Sequence, residues 1–191
     1  DLPVYTNHYP VLELFNPQLQ NTKSAADKFN ILAFSAWNPR KGWKQLISAY
    51  YSEFFDYDDV SLTIKTHGDQ GEVANDIKNI KQSTTQFLVK VESNNNVNIS
   101  QNMPKCEVRL DLSELNEQDI QSYFSKFDLF ASATKGEGFG LTIAQAGIAG
   151  LPVLVPTLGG HIDFCPPWAY QVDSFTAACT NVGSPQIYDN S

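Results

Sequence analysis

Short apolar runs, each closed by a polar or Gly-bearing loop, recur from Phe29 to Val155 with helix-period segments between most of them. The runs are Phe29–Ser35, Val60–Thr66, Phe87–Glu92, Cys106–Leu112, Phe127–Ala133 and Pro152–Val155. Their length and closure predict buried strands. Between them, Leu46, Ile47, Tyr50 and Phe54 recur at helical spacing, which predicts a helix over 41–55. A polar helix is expected over 72–82. Another is expected over 117–126, capped by Asn116 with Asp119 three residues on, and a small-residue helix over 140–149. Strand–helix alternation repeated this often has few solutions. Parallel strands need crossovers, and the crossovers cover both faces of the sheet. The fold class predicted is α/β, a Rossmann-like, doubly wound parallel sheet.

The chain has 191 residues, enough for one domain with its own core. Residues 1–29, punctuated by Pro3, Pro10 and Pro17, read as an inter-domain connection. The domain proper is expected over 30–165, and 166–191 reads as a C-terminal extension cut short. The start, Asp1-Leu2-Pro3, carries no charged-then-apolar leader and reads as a piece of a longer protein. A formal charge of −8 argues against nucleic acid as the main partner. No apolar run approaches the roughly 18 residues of a membrane span. Cys106, Cys165 and Cys179 lack paired spacing and suit free thiols in a reducing, cytoplasmic setting, with one bridge plus one free thiol as the alternative. Asn98-Ile99-Ser100 matches a glycosylation acceptor, a match that is accidental in such a setting. No His, Cys and Asp cluster has metal-ligand spacing.

Ligands of open parallel sheets bind beyond the carboxyl ends of the strands. Four loops of suitable chemistry fall there: Trp37–Gly42, Thr66–Asp69, Thr134–Gly140 and Leu158–His161. The third reads Thr134-Lys135-Gly136-Glu137-Gly138-Phe139-Gly140, one acid in a Gly-rich turn that opens into a helix of small residues. The first sets Arg40 and Lys41 at a helix start, where the helix dipole disfavours cations, so an anionic ligand is the better reason for them. His67 and His161 are weaker candidates for a ligand contact. Trp37 and Trp43 read as packing residues.

Residues 134–153 resemble the E-G-F-G-L-x-x-x-E-A segment, with its following G-x-P-V element, of retaining GT-B glycosyltransferases of family 4 (glycosyl transferases group 1). Other elements resemble that family in order. They are Lys41-Gly42 with Leu46-Ile47-Ser48-Ala49, Phe127-Asp128-Leu129-Phe130, Gly150-Leu151-Pro152-Val153 and Gly159-Gly160. The resemblance spans about 30–165 and departs from the family twice. The second family acid, eight positions after Glu137, is Gln145, and the family arginine, five positions before Lys41, is Ala36. Arg40 stands next to Lys41 as a substitute charge.

The resemblance implies one half of a GT-B fold, the C-terminal, donor-binding domain, working with an N-terminal GT-B domain of the same chain. It implies a nucleotide-sugar donor as substrate, no further cofactor and no bound metal. Lys41 and Arg40 would stabilise the diphosphate, with Gly159 and Gly160 offering N–H groups. Glu137 would accept hydrogen bonds from sugar hydroxyls, and Gln145 would meet the ribose. Thr134, Lys135, Gly138, Phe139, Gly140 and His67 would line the donor site, and Asp111 and Leu112 would meet the base. The function expected is retaining transfer of a sugar to a glycan, lipid or protein acceptor that the sequence does not identify. Ala36 and Gln145 keep open a non-catalytic nucleotide-sugar or glycan-binding module, and another GT-B enzyme such as a sugar-nucleotide epimerase is a third reading.

Overall fold

The computed structural model describes residues 28–54, 59–95, 106–165 and 169–175, of which 87–95 as backbone only. The strands are β1 (Phe29–Phe34), β2 (Val60–Lys65), β3 (Glu107–Asp111), β4 (Leu129–Ala131), β5 (Val153–Pro156) and β6 (Tyr170–Val172). The helices are α1 (Trp43–Glu53), α2 (Gln70–Asn95), α3 (Ile120–Phe124) and α4 (Leu141–Ile148). All six strands form one sheet in the order β3-β2-β1-β4-β5-β6, and each pair is parallel.

Strand β1 lies in the middle and is buried on both sides, so its residues alternate between two cores. Leu32 joins Phe124, Phe130, Ile143, Val153 and Val155 on one face. Ile31 and Ala33 join Ile47, Tyr50, Leu62 and Ile64 on the other. Helices α1 and α2 cover the second face, and α3 and α4 the first, which makes the sheet doubly wound. In α1 the buried residues are Trp43, Ile47, Tyr50 and Tyr51, one stripe at helical spacing. Gly42 caps α1 with φ 70°, and a Cβ there would lie 1.9 Å from the Ala133 carbonyl oxygen. Only glycine lets the start of α1 lie this close to the end of β4.

One expected strand is absent. Residues 87–92 continue α2 instead of forming a strand. Their β-branched and aromatic composition suggested an extended run, but no Gly or Pro separates Gly71 from Pro104. With no breaker, a helix once nucleated propagates at little cost. Its start is firm: the Asp69 carboxylate accepts from the Glu72 amide at 2.9 Å, the first half of a capping box. Asn116 corrects a second expectation. It precedes the 3-10 turn Glu117–Asp119, but its side chain makes no capping bond. It reaches the Asp119 carboxylate at 3.4 Å instead.

Strand β6 comes from the last 26 residues, where the sequence offers no readable pattern. Cys106 and Cys165 are free thiols, and burial pushes both up from the ordinary thiol pKa. Residues 1–27 of the connection expected over 1–29, most of the C-terminal extension, Asn98–Ser100 and Cys179 lie outside the described residues. Among the described residues no helix is long and apolar enough to cross a membrane.

Candidate functional site

Strand order reverses between β1 and β4. The chain moves outward from β1 through β2 to β3, then crosses back to β4 on the other side of β1. The helices that follow β1 and β4 therefore lie on opposite faces of the sheet, and the loops that lead into them meet at a crevice on the carboxyl edge, the place where open α/β sheets take ligands. Arg40 and Lys41 leave β1, and Glu137 leaves β4. Ninety-six residues apart in sequence, Lys41 and Glu137 meet in that crevice.

The β1 loop is built by its own polar group. The Asn38 side chain accepts from the Arg40 amide at 2.8 Å and caps the 3-10 turn Pro39–Lys41. That turn brings the Arg40 carbonyl to the Lys135 amide at 2.7 Å and so ties the two loops together. The Arg40 guanidinium donates to the Gly136 carbonyl at 2.5 Å and stands 4.0 Å from the Glu137 carboxylate. The Lys41 ammonium pairs directly with the same carboxylate. Both partners are largely enclosed, with side chains 15% and 12% exposed, whereas Arg40 is 44% exposed. A small cleft beside the pair is lined by Ser35, Lys41, Trp43, Leu46, Ser132 and Ala133.

The loop after β5 supports this arrangement from below. Gly160 donates its amide to the Glu137 carbonyl at 3.0 Å. A Cβ on Gly160 would lie 1.7 Å from the Gly138 carbonyl oxygen, so the two loops touch backbone to backbone. Of the two glycine amides expected to be open to phosphate, that of Gly160 is thus engaged. His161 is completely buried, with Nε2 at 2.9 Å from the Pro156 carbonyl oxygen and Nδ1 without a hydrogen-bond partner. It holds the turn Gly160–Asp163 to the end of β5 and has no exposed surface, where a ligand contact was expected. Phe139 stacks at a tilt on Phe164, ring centroids 4.7 Å apart, and pins the far side of the Glu137 loop.

The other sequence candidates distribute as follows. Thr134 is buried and its hydroxyl donates to the Gly136 carbonyl at 3.1 Å, shaping the turn that presents Glu137. Lys135 is exposed beside it, as is Gly138. Gly140, with φ 86°, starts α4, and Gln145 is buried within that helix. His67 is exposed after β2, and Leu112 is half-buried after β3. Asp111 ends β3 with its carboxylate occupied by Lys65 at 3.1 Å, Tyr123 at 2.6 Å and the Ser113 hydroxyl and amide at 2.6 and 2.9 Å. Trp37 and Trp43 stack on each other at 5.1 Å, and their indole nitrogens donate to Asp76 and to the Ala36 carbonyl, as packing residues do.

Sequence reasoning passed over Ser35 and Ser132, which line the cleft at the ends of the two central strands. Their position directly after a strand at the order reversal was the available signal. It also missed the structural work of His161, which only the contact with Pro156 reveals. Among the described residues no group of three or more His, Cys, Asp or Glu side chains could hold a metal ion.

The crevice therefore holds two cations and one carboxylate at a carboxyl sheet edge, and solved proteins of the same architecture are numerous. The structure is similar to the C-terminal domain of a glycosyl transferase group 1 family protein, LpcC, from Francisella tularensis. The TM-score is 0.55 with 17% identity, over 77% of this chain and 68% of that one. It is similar to HepE from Anabaena, solved in complex with UDP and glucose, with a TM-score of 0.55 and 18% identity over 78% of this chain and 35% of that one. A trehalose-6-phosphate synthase matches with a TM-score of 0.55 and 12% identity, over 85% of this chain and 38% of that one. This chain thus spans little more than a third of the length of those last two chains. No protein-family model matches the sequence, and a search of curated proteins finds no match. At these identities the likeness is one of fold. The chain has the fold of the C-terminal, Rossmann-like half of a GT-B glycosyltransferase.

Proposed function

We propose that this chain is the donor-binding half of a glycosyltransferase that takes its sugar from a nucleotide-sugar. The observation that carries the reading is the convergence of Arg40, Lys41 and Glu137 in the crevice where strand order reverses. Sugar transfer leaves a nucleoside diphosphate whose negative charge grows in the transition state. Fixed cations in a partly enclosed site stabilise that charge without reorganisation. Lys41 and Arg40 supply the cations, with Arg40 at the Gly136 carbonyl and 4.0 Å from the Glu137 carboxylate. Glu137 accepts hydrogen bonds from sugar hydroxyls and orients the reacting carbon. Gln145 meets the ribose as an amide, able to donate and accept but unable to act as acid or base. Transfer proceeds with retention to a glycan, lipid or protein acceptor. A UDP-sugar is the donor to test first, because HepE is solved with UDP and glucose.

Ala36 and Gln145 favour a second reading, a nucleotide-sugar-binding module without turnover. Both readings place the ligand in the same crevice. Calorimetric titration of UDP and UDP-glucose into the chain tests that placement. Lys41→Ala should weaken UDP binding by more than about 1 kcal/mol, because charge-assisted bonds to phosphate are among the stronger ones. Unchanged affinity removes this loop from the site. Donor hydrolysis or transfer by the protein that carries this domain then separates enzyme from module.

A further inference from the structure

The Lys41–Glu137 pair raises a question that the donor site alone does not answer. The cation best placed for a diphosphate is already neutralised by a carboxylate of the same chain. The loop that carries this carboxylate is held in place: the Glu137 carbonyl accepts from the Gly160 amide at 3.0 Å and the Gly136 carbonyl from the Arg40 guanidinium at 2.5 Å. With side chains only 15% and 12% exposed, the pair is poorly screened by salt and stronger than a surface pair.

We infer that Glu137 sets the discrimination between the nucleotide-sugar donor and the free nucleoside diphosphate, by competing with phosphate for Lys41. This rests on the proposed donor site. An incoming diphosphate must share Lys41 with a like charge of the same site, which costs binding energy whatever the nucleotide carries. A donor compensates, because its sugar hydroxyls donate to the carboxylate as the carboxylate loosens its hold on Lys41. The free diphosphate lacks the hydroxyls of the transferred sugar and bears the repulsion alone. After transfer the pair re-forms and helps expel the product. Glu137 acts on the phosphate through Lys41 and on the sugar directly, so one side chain sets the ratio of two affinities.

The test is calorimetric affinity for UDP-glucose, UDP and inorganic pyrophosphate in the parent chain, Glu137→Gln, Lys41→Ala and the double variant. Glu137→Gln should tighten UDP and pyrophosphate at least about fivefold, leave UDP-glucose unchanged or weaker, and flatten the preference for donor over product. Local damage to the loop would weaken all three ligands, so a gain in affinity is not a sign of structural loss. Glu137→Asp, which keeps the charge and withdraws it from Lys41, should fall between the two. The gain should vanish when Lys41 is already Ala. If the parent binds UDP and Glu137→Gln binds UDP no tighter, the competition is wrong while the donor site stands. If none of the proteins binds any of the three ligands, the donor site and the inference fall together.

Discussion

Lys65 is a lysine that sits only 3% exposed and is fully engaged: Asp111 at 3.1 Å, the Ser113 hydroxyl at 3.0 Å and the Ser113 carbonyl. Burying a cation this deeply is tolerable only with such a set of partners. The Asp111 carboxyl is held well below the ordinary aspartate range. Burial alone would raise it, but hydrogen bonds from the Ser113 hydroxyl, the Tyr123 hydroxyl, the Ser113 amide and the Lys65 ammonium outweigh that. Burial, and then the bond to Asp111, push the Tyr123 phenol far up. Because the folded chain holds Asp111 ionised more strongly than the unfolded chain does, its stabilisation is whole above about pH 4 and is lost as the pH falls below that. Asp111→Asn leaves Lys65 buried without a counter-charge, so it should cost about 3 kcal/mol near neutral pH. The difference from the parent should shrink as the pH drops below about 4. Urea midpoints across that range measure it, and a difference independent of pH would show that the network does not act through the charge of Asp111. In the sequence this network was invisible, because Lys65, Asp111 and Tyr123 carry no local pattern: Lys65 meets Asp111 only through the pairing of β2 with β3, and Tyr123 reaches Asp111 from α3. Lys41 and Glu137 were legible as a pair of motifs, though not as an ion pair.

The site's elements are loops held by short turns, and glycine decides where two of them touch. Gly160 and Gly147 make a controlled comparison. A Cβ on Gly160 meets the Gly138 carbonyl oxygen at 1.7 Å, whereas one on Gly147, inside α4, meets nothing within 4 Å. Gly160→Ala must push the Glu137 loop away and weaken the bond from Gly160 to the Glu137 carbonyl. It should cost on the order of 1–3 kcal/mol in stability and weaken UDP binding with it. Gly147→Ala should stabilise by roughly 0.5–1 kcal/mol, since alanine restricts the unfolded chain and favours the helix. Denaturation midpoints of the two variants, compared side by side, check both signs. Equal effects would mean that the backbone contact between the loops carries nothing. Element types were largely readable from periodicity, and the two failures have separate causes. Residues 87–92 extend a helix because nothing stops it, and β6 is three exposed residues with no apolar pattern to announce it. In the first case local propensity was overridden by helix propagation, and in the second it was silent at a sheet edge.

For the whole molecule, parallel topology and the crevice followed from alternation alone, because a doubly wound sheet has one favoured place for a ligand. What alternation leaves open is which strands neighbour which, and hence that the loops of β1 and β4 close on one another. Charge acts at the same scale and in the opposite sense to the site. The chain carries a formal charge of −8, yet the crevice offers Arg40 and Lys41 to an anion. Long-range repulsion and short-range attraction respond differently to salt. Charges beyond a Debye length of about 10 Å at 0.1 M are screened first, while contacts inside a partly enclosed cleft are screened least. Added salt should therefore relieve the repulsion of the whole chain before it erodes the contacts with the phosphates. In the parent the two effects oppose each other, and UDP affinity should fall only gently with ionic strength. Removing Lys41 leaves the repulsion and discards most of the attraction. Residual binding by Lys41→Ala should then strengthen with salt, reversing the sign of the slope. Calorimetric titrations of parent and variant at a series of salt concentrations measure both slopes. Parallel, steeply falling slopes in the two proteins would place the phosphate-binding charge elsewhere on the molecule.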